Sequence, residues 1–223
     1  MQDSKNNQKK KPWPTKKAME QIYEQNLWGG NSKTYYSGSG SHDLQIVVPY
    51  INCVLGFLKS LPIPITILDL GCGDFNIGQQ ILPYAKKYIA IDIAENVINY
   101  NKSKFIHENL EFLCLDIAKD ALPKADVVII RQVLQHLSNR EVKIILSKLN
   151  AFKYILLTEH LPSSKFEPNK DIISGQGIRL KKQSGLCIRE EPFNFKCEKE
   201  SELLSIELGN KKGVIKTWLY QQF

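Results

Sequence analysis

The sequence predicts an α/β fold, a doubly wound and mostly parallel sheet, and three observations carry that expectation. Short apolar runs at residues 65–70, 88–91, 110–115, 126–130 and 154–158 alternate with segments of helical periodicity. Strands joined by helix-length crossovers run parallel, which brings their carboxyl ends to one edge. At or beside those ends stand polar residues, Asp69, Asp92, Asp116, Arg131 and Glu159, on the edge where doubly wound sheets bind ligands. Finally, the first run opens into Gly71-Cys72-Gly73, a turn where a side chain would crowd the backbone or block a ligand.

Taken in order, the chain divides into a tail (residues 1–14), an N-terminal helical lid (15–61) and the core domain (62–223). Of the formal charge of +7, all but +2 falls within the first 17 residues, where six lysines face only Asp3. That pattern predicts a solvated, disordered basic tail rather than a nucleic-acid surface built into the fold. Residues 15–28 form an amphipathic helix with Met19, Ile22, Tyr23 and Leu27 on one face and Thr15 as its N-cap. Residues 29–43 are rich in glycine and serine, yet Tyr35 and Tyr36 argue for a loop that folds over a ligand. A second helical pattern over 44–61 either kinks at Pro49 or begins there.

Within the core, helices are expected at 77–86, 95–104 and 140–149. After the fifth strand the alternation stops, and residues 162–197 form a long irregular insertion on the substrate side. Its Pro192-Phe193-Asn194-Phe195 should anchor it. Residues 213–221 are β-rich and read as a terminal edge strand.

Composition closes several routes. No stretch approaches the roughly 18 apolar residues of a membrane span, and no apolar region follows the N-terminal charges as in a secretory signal. A cytoplasmic protein without membrane contact is expected. The five cysteines include no C-x-x-C pair and have no histidine at zinc spacing, so free buried thiols are expected and no metal.

The glycine turn admits two readings. A nicotinamide site would show G-x-G-x-x-G, but Gly71 and Gly73 are followed by Asp74, Phe75 and Asn76. Asp92, 21 residues after Gly71, is placed to accept from both hydroxyls of an adenosine ribose. Asp116 could meet the adenine amino group. Together with Asp69, three carboxylates at consecutive strand ends suit a cationic cofactor without phosphates, since a pyrophosphate would be repelled.

Over residues 65–161 the chain resembles the class I S-adenosylmethionine-dependent methyltransferases. The carrying stretches are ILDLGCG, YIAIDIA, FLCLDI, VVIIRQVLQHLS and YILLTEH, in that order. A closer likeness, to a bacterial small-molecule subgroup, adds Trp28-Gly29, the Ser37-Gly38-Ser39-Gly40-Ser41 stretch, GCGDFN, residues 169–179 and PFNF. Many of those relatives carry glycine where Phe75 stands, which crowds the helix start.

The resemblance implies a seven-stranded-type sheet with S-adenosyl-L-methionine as cofactor. Asp69, Gly71, Cys72, Gly73 and Asn76 would surround its methionine end. Asp92 and Ile93 would take the ribose, Asp116 and Ile117 the adenine, and Arg131 and Gln132 would complete the cradle. His136 and His160 are candidates for general base, with packed histidines as the alternative. Arg131 could clamp an anionic acceptor or pair with an acid of the cofactor loop. Trp28, Tyr36, Ser37 and Ser39 would form a lid, with Glu159 and Arg179 on the substrate side.

The function expected is methyl transfer to an oxygen or nitrogen of a small polar metabolite, neutral or anionic, such as a sugar derivative. Two other classes stay open. One is a methyltransferase of RNA or protein, although Arg131-Gln132-Val133 stands where an [ND]-P-P-[YF] signature would fall. The other is a cofactor-binding module without catalysis. Neither acceptor nor oligomeric state is assigned.

Overall fold

A computed structural model describes residues 13–30, 34–209 and 212–223. The expected basic tail lies outside these residues except for its last two. Seven strands form one sheet in the order β3-β2-β1-β4-β5-β7-β6. They are β1 (Thr66–Leu70), β2 (Lys87–Asp92), β3 (Leu110–Cys114), β4 (Val127–Arg131), β5 (Tyr154–Leu161), β6 (Lys199–Leu208) and β7 (Gly213–Gln221). The first five run parallel, whereas β7 pairs antiparallel with β5 and β6 antiparallel with β7. Strand order reverses between β1 and β4, which opens a crevice at their carboxyl ends.

The helices are α1 (Thr15–Glu24), α2 (Leu44–Lys59), α3 (Gly78–Ile81), α4 (Glu95–Lys104) and α5 (Asn139–Leu149). Alternate residues of each central strand enter different apolar clusters, as the period of two requires. Ile67, Ala90 and Ile129 pack with Val54 and Leu58 of α2 and Ile98 of α4. Leu68, Ile89 and Val128 pack with Met19 of α1, Ile145 of α5, and Leu186 and Phe195 of the insertion. Burial on both faces explains why these strands read as continuous apolar runs. Each enclosed aliphatic side chain contributes about 1.5–3 kcal/mol. No helix among the described residues is long and apolar enough to cross a membrane.

Three expectations are corrected. The terminal strand β7 is not an edge: it lies between β5 and β6, with Val214, Ile215 and Thr217 buried. The edge belongs to β6, whose alternation is broken by a register shift between Glu202 and Leu204. The helix expected over 77–86 is one turn of α3 followed by a 3₁₀ turn, Leu82–Tyr84. Pro83 has no N–H to continue the α-helical ladder. Thr15 is not the cap of α1; Pro14 holds that position, and Thr15 Oγ1 donates to Glu141 Oε1 at 2.5 Å.

Of the two alternatives at Pro49, a start there is excluded, because α2 begins at Leu44. Asp43 caps it, accepting from Gln45 N–H at 2.9 Å, and the helix runs through the proline. Phe195 anchors the insertion, buried against Tyr220.

Candidate active site

Gly71 and Gly73 have φ of +84° and +54°, in the left-handed region that favours glycine. A Cβ on Gly71 would stand 2.3 Å from Val133 Cγ2, and one on Gly73 would stand 2.2 Å from Ser37 Oγ. The turn is tied down by Gly71 and Cys72 N–H donating to Ile91 O and by Asn101 Nδ2 donating to Gly73 O. Asp92 closes it, accepting from Gly73 N–H at 3.1 Å and from Ala94 N–H at 2.9 Å. Phe75 takes φ +61°, also in the left-handed region that favours glycine. Its ring is fully buried against Tyr88, Phe105 and Phe112, which offsets the strain of that backbone.

The loop before α2 lies against this turn. Ser37 N–H donates to Asp74 Oδ2, and Ser37 Oγ accepts from Asp74 N–H. His42 Nε2 meets Asp74 Oδ2 at 2.5 Å, and Asn76 Nδ2 donates to Ser41 O at 2.7 Å. From the other side Arg131 Nη1 donates to Ser41 Oγ at 3.1 Å and to Gln132 Oε1 at 3.3 Å, while Nη2 donates to Gly40 O. The guanidinium lies over the Tyr50 ring at 4.7 Å.

Beneath this loop and α1 is a cavity of about 370 Å³ at the β1/β4 crevice. Of the residues singled out from the sequence, Gly71, Cys72, Gly73, Asp92, Ile93, Asp116, Ile117, Arg131, Gln132, His136, His160, Trp28, Ser37 and Ser39 line it. Five do not. Asp69 points to the α2 face and accepts from Tyr88 Oη at 2.9 Å; burial pushes its carboxyl up to about 7. Asn76 is taken up by Ser41, and Tyr36 stacks on His42 at 4.3 Å. Glu159 is fully enclosed, both oxygens lack a hydrogen-bond partner, and burial raises it to about 8. Arg179, 1% exposed, serves backbone carbonyls. A polar residue near a strand end can thus turn inward to the protein rather than outward to the ligand.

Other lining residues were not anticipated. Met19 and Tyr23 were read as core positions of α1, and helical spacing cannot distinguish a core from a cavity wall. Gln135, Glu141, Gln176 and Ile178 also line the cavity, brought in by the 3₁₀ turn after β4, by α5 and by the insertion.

Elsewhere on the cavity wall two imidazoles are polarised by carbonyls. His136 Nδ1 lies 3.2 Å from Gly175 O and His160 Nε2 lies 2.7 Å from Lys212 O. A carbonyl only accepts, so those nitrogens carry the protons and the opposite ones keep their lone pairs. Burial lowers both histidines, His136 to about 4. Trp28 packs on the His136 ring at 5.1 Å.

The chemistry of the donor set can be tested against S-adenosylmethionine. Asp92 lines the cavity without an ion-pair partner among the described residues, its oxygens each receiving one backbone N–H. Its remaining lone pairs suit hydroxyl donors, and burial raises its pKa, a shift that a phosphate beside it would increase and a cation would offset. Asp116 is partly spent, pairing with Lys119 at 2.7 Å and accepting from Ala118 N–H. Residues Gly71, Gly73, Asp92 and Ile117 therefore fit a nucleoside cofactor without phosphates.

The fold is that of the class I S-adenosylmethionine-dependent methyltransferases. It superposes on the N-methyltransferase NodS from Bradyrhizobium japonicum WM9, solved with S-adenosyl-L-homocysteine, with a TM-score of 0.63 over 92% of this chain and 98% of that chain at 10% identity. Residues 68–152 match a family model described as a methyltransferase domain. The chain is 41% identical over 73 residues to a malonyl-[acyl-carrier protein] O-methyltransferase of Acetivibrio thermocellus, 31% of this chain and 25% of that protein. An uncharacterized RNA methyltransferase of Clostridium tetani is 38% identical over 71 residues, 29% of this chain and 16% of that protein. The chain thus spans a quarter or less of the length of these curated relatives.

Proposed function

We propose that the protein is an S-adenosylmethionine-dependent methyltransferase acting on an oxygen or nitrogen of a small polar acceptor. The observation that supports this is one cavity lined both by the glycine turn with Asp92 and by the imidazoles of His136 and His160. The curated relatives differ in the acceptors their names give, so the acceptor reading rests on the cavity alone. Its roof of α1 and the loop over Gly71 and Gly73 favours a small acceptor over a folded RNA.

In this reading Gly71, Gly73, Asp92 and Ile117 hold the cofactor, which when bound supplies a methyl group on a sulfonium. The protein's own part is to aim the acceptor and exclude water. Trp28, Ser37 and Ser39 cover the site, and Arg131 latches the cover through Gly40 and Ser41. His160 Nδ1 accepts a hydrogen bond from the acceptor's N–H or O–H, while His136 Nε2 already faces the Gln135 amide at 3.4 Å. With a pKa near 4 His136 is an uncharged wall of the site and does not store the acceptor's proton. Uncharged imidazoles also leave an amine acceptor unrepelled. Among the described residues of the wall, Lys181 is the cation left for an anionic group, since Arg131 is engaged.

Calorimetry with S-adenosylhomocysteine should show one site, weakened at least about tenfold in Asp92→Ala. Incubation of cell extract with labelled cofactor should then place the label in low-molecular-weight material. Absence of cofactor binding at millimolar concentration sinks the proposal, and label confined to RNA replaces the acceptor.

A further inference from the structure

We propose that Arg179 is the positioning residue that sets the acceptor end of the cavity, a step that rests on the methyltransferase reading above. Arg179 does not line the cavity and cannot touch an acceptor there. Its guanidinium lies beneath the 3₁₀ turn Leu134–His136. Nη1 donates to Leu134 O at 3.1 Å and Gln135 O at 3.3 Å, and Nη2 donates to Leu137 O at 2.8 Å and Asn139 Oδ1 at 2.6 Å. Leu134 O keeps its 3₁₀ bond from Leu137 N–H, and the buried cation with forked donors adds to it while also serving Gln135 O and Leu137 O at the end of the turn.

The insertion straps the same turn from further points. Gly175 N–H donates to His136 O at 3.0 Å, and Ser174 Oγ accepts from Ser138 N–H at 2.8 Å. Asp171 Oδ1 accepts from Asn139 N–H and Asn169 O from Asn139 Nδ2, both at 2.7 Å. Residues 169–179 therefore grip residues 134–139 along their length. The segment that reads from sequence as a substrate-side loop acts on the site by holding another segment in place.

What it holds is a hydrogen-bond chain with a single direction. His160 N–H donates to Gln135 Oε1 at 3.1 Å, which turns the Gln135 amide nitrogen toward His136 Nε2 at 3.4 Å. His136 Nδ1–H in turn donates to Gly175 O. Each link requires the next, so the turn's position and the His136 tautomer are set together. Arg179 fixes the backbone carbonyls on either side of that ring.

The test compares Arg179→Lys and Arg179→Met with the wild type by long-range ¹H–¹⁵N correlation of the His136 ring, with S-adenosylhomocysteine calorimetry alongside. The wild type should show the Nδ1–H tautomer alone. Arg179→Met should show mixed tautomers and Arg179→Lys an intermediate pattern, because an ammonium reaches fewer carbonyls at once. Cofactor affinity should stay within about twofold, the two regions being separate. Unchanged His136 signals in folded Arg179→Met overturn the proposal; if that variant does not fold, unchanged signals in Arg179→Lys do so. Should the wild type fail to bind the cofactor analogue, the methyltransferase reading falls while the tautomer result still decides this one.

Discussion

Ser37 and Asp74 exchange two hydrogen bonds, Ser37 N–H to Asp74 Oδ2 at 2.9 Å and Asp74 N–H to Ser37 Oγ at 2.8 Å. The pair joins the cover loop to the glycine turn, 37 positions apart in sequence. It also explains why Gly73 has no room for a side chain.

Ser37→Ala should therefore cost about 1–3 kcal/mol, the Asp74 N–H losing its acceptor in a part-buried site. Urea denaturation reads the loss, and weaker binding of S-adenosylhomocysteine should accompany it. Equal stability and affinity would show that the loop does not cover the cofactor site.

Phe75 sets burial against backbone strain. Phe75→Ala keeps φ +61° and removes the ring, for a loss of about 3–5 kcal/mol. Phe75→Gly loses the same contacts but relieves the left-handed strain, so it should be about 1 kcal/mol more stable than Phe75→Ala. Reversal of that order in denaturant midpoints would mean that the backbone here is unstrained.

Arg131→Met should weaken S-adenosylhomocysteine binding about tenfold, because Gly40 and Ser41 lose their latch. If Arg131 instead clamps an anionic acceptor, cofactor affinity will stay constant and only the acceptor's KM will rise.

Glu159 gives a pH signature. Its folded value, about 8, exceeds the ordinary 4.5, so between those values the folded state binds the extra proton. Stability then falls as pH rises through that window, with a slope approaching about 1.4 kcal/mol per pH unit for this group. His136 acts oppositely at lower pH: its folded value of about 4 lies below 6.5, so stability is lost as pH falls through that range. Glu159→Gln should flatten the decline between pH 6 and 8, measured by denaturation across pH. A profile identical to wild type would show that the carboxyl ionises normally.

Most of the sheet was legible because β1, β2, β4 and β5 are buried on both faces and read as apolar runs. β6 was not: it is solvent-facing, carries Glu200, Glu202 and Glu207, and loses its alternation at the shift beside Glu202. For the site, Asp92 could be placed because the residue ending β2 must meet the glycine turn of the neighbouring β1. Arg179 and Glu159 could not, since their distance from the cavity depends on how the insertion folds back on residues 134–139.

The sequence by itself determined the alternation of strands and helices, the crevice beside Gly71 and the acid that faces it. Those follow from local periodicity and from the rule that parallel strands end on one edge. Only the tertiary structure decided that β7 lies inside the sheet, that Arg131 latches the cover, and that Arg179 supports His136 from behind. Each of those depends on which buried carbonyl or carboxylate a side chain reaches across long sequence separations, and hydrogen-bond satisfaction of that kind leaves no periodic trace in the chain.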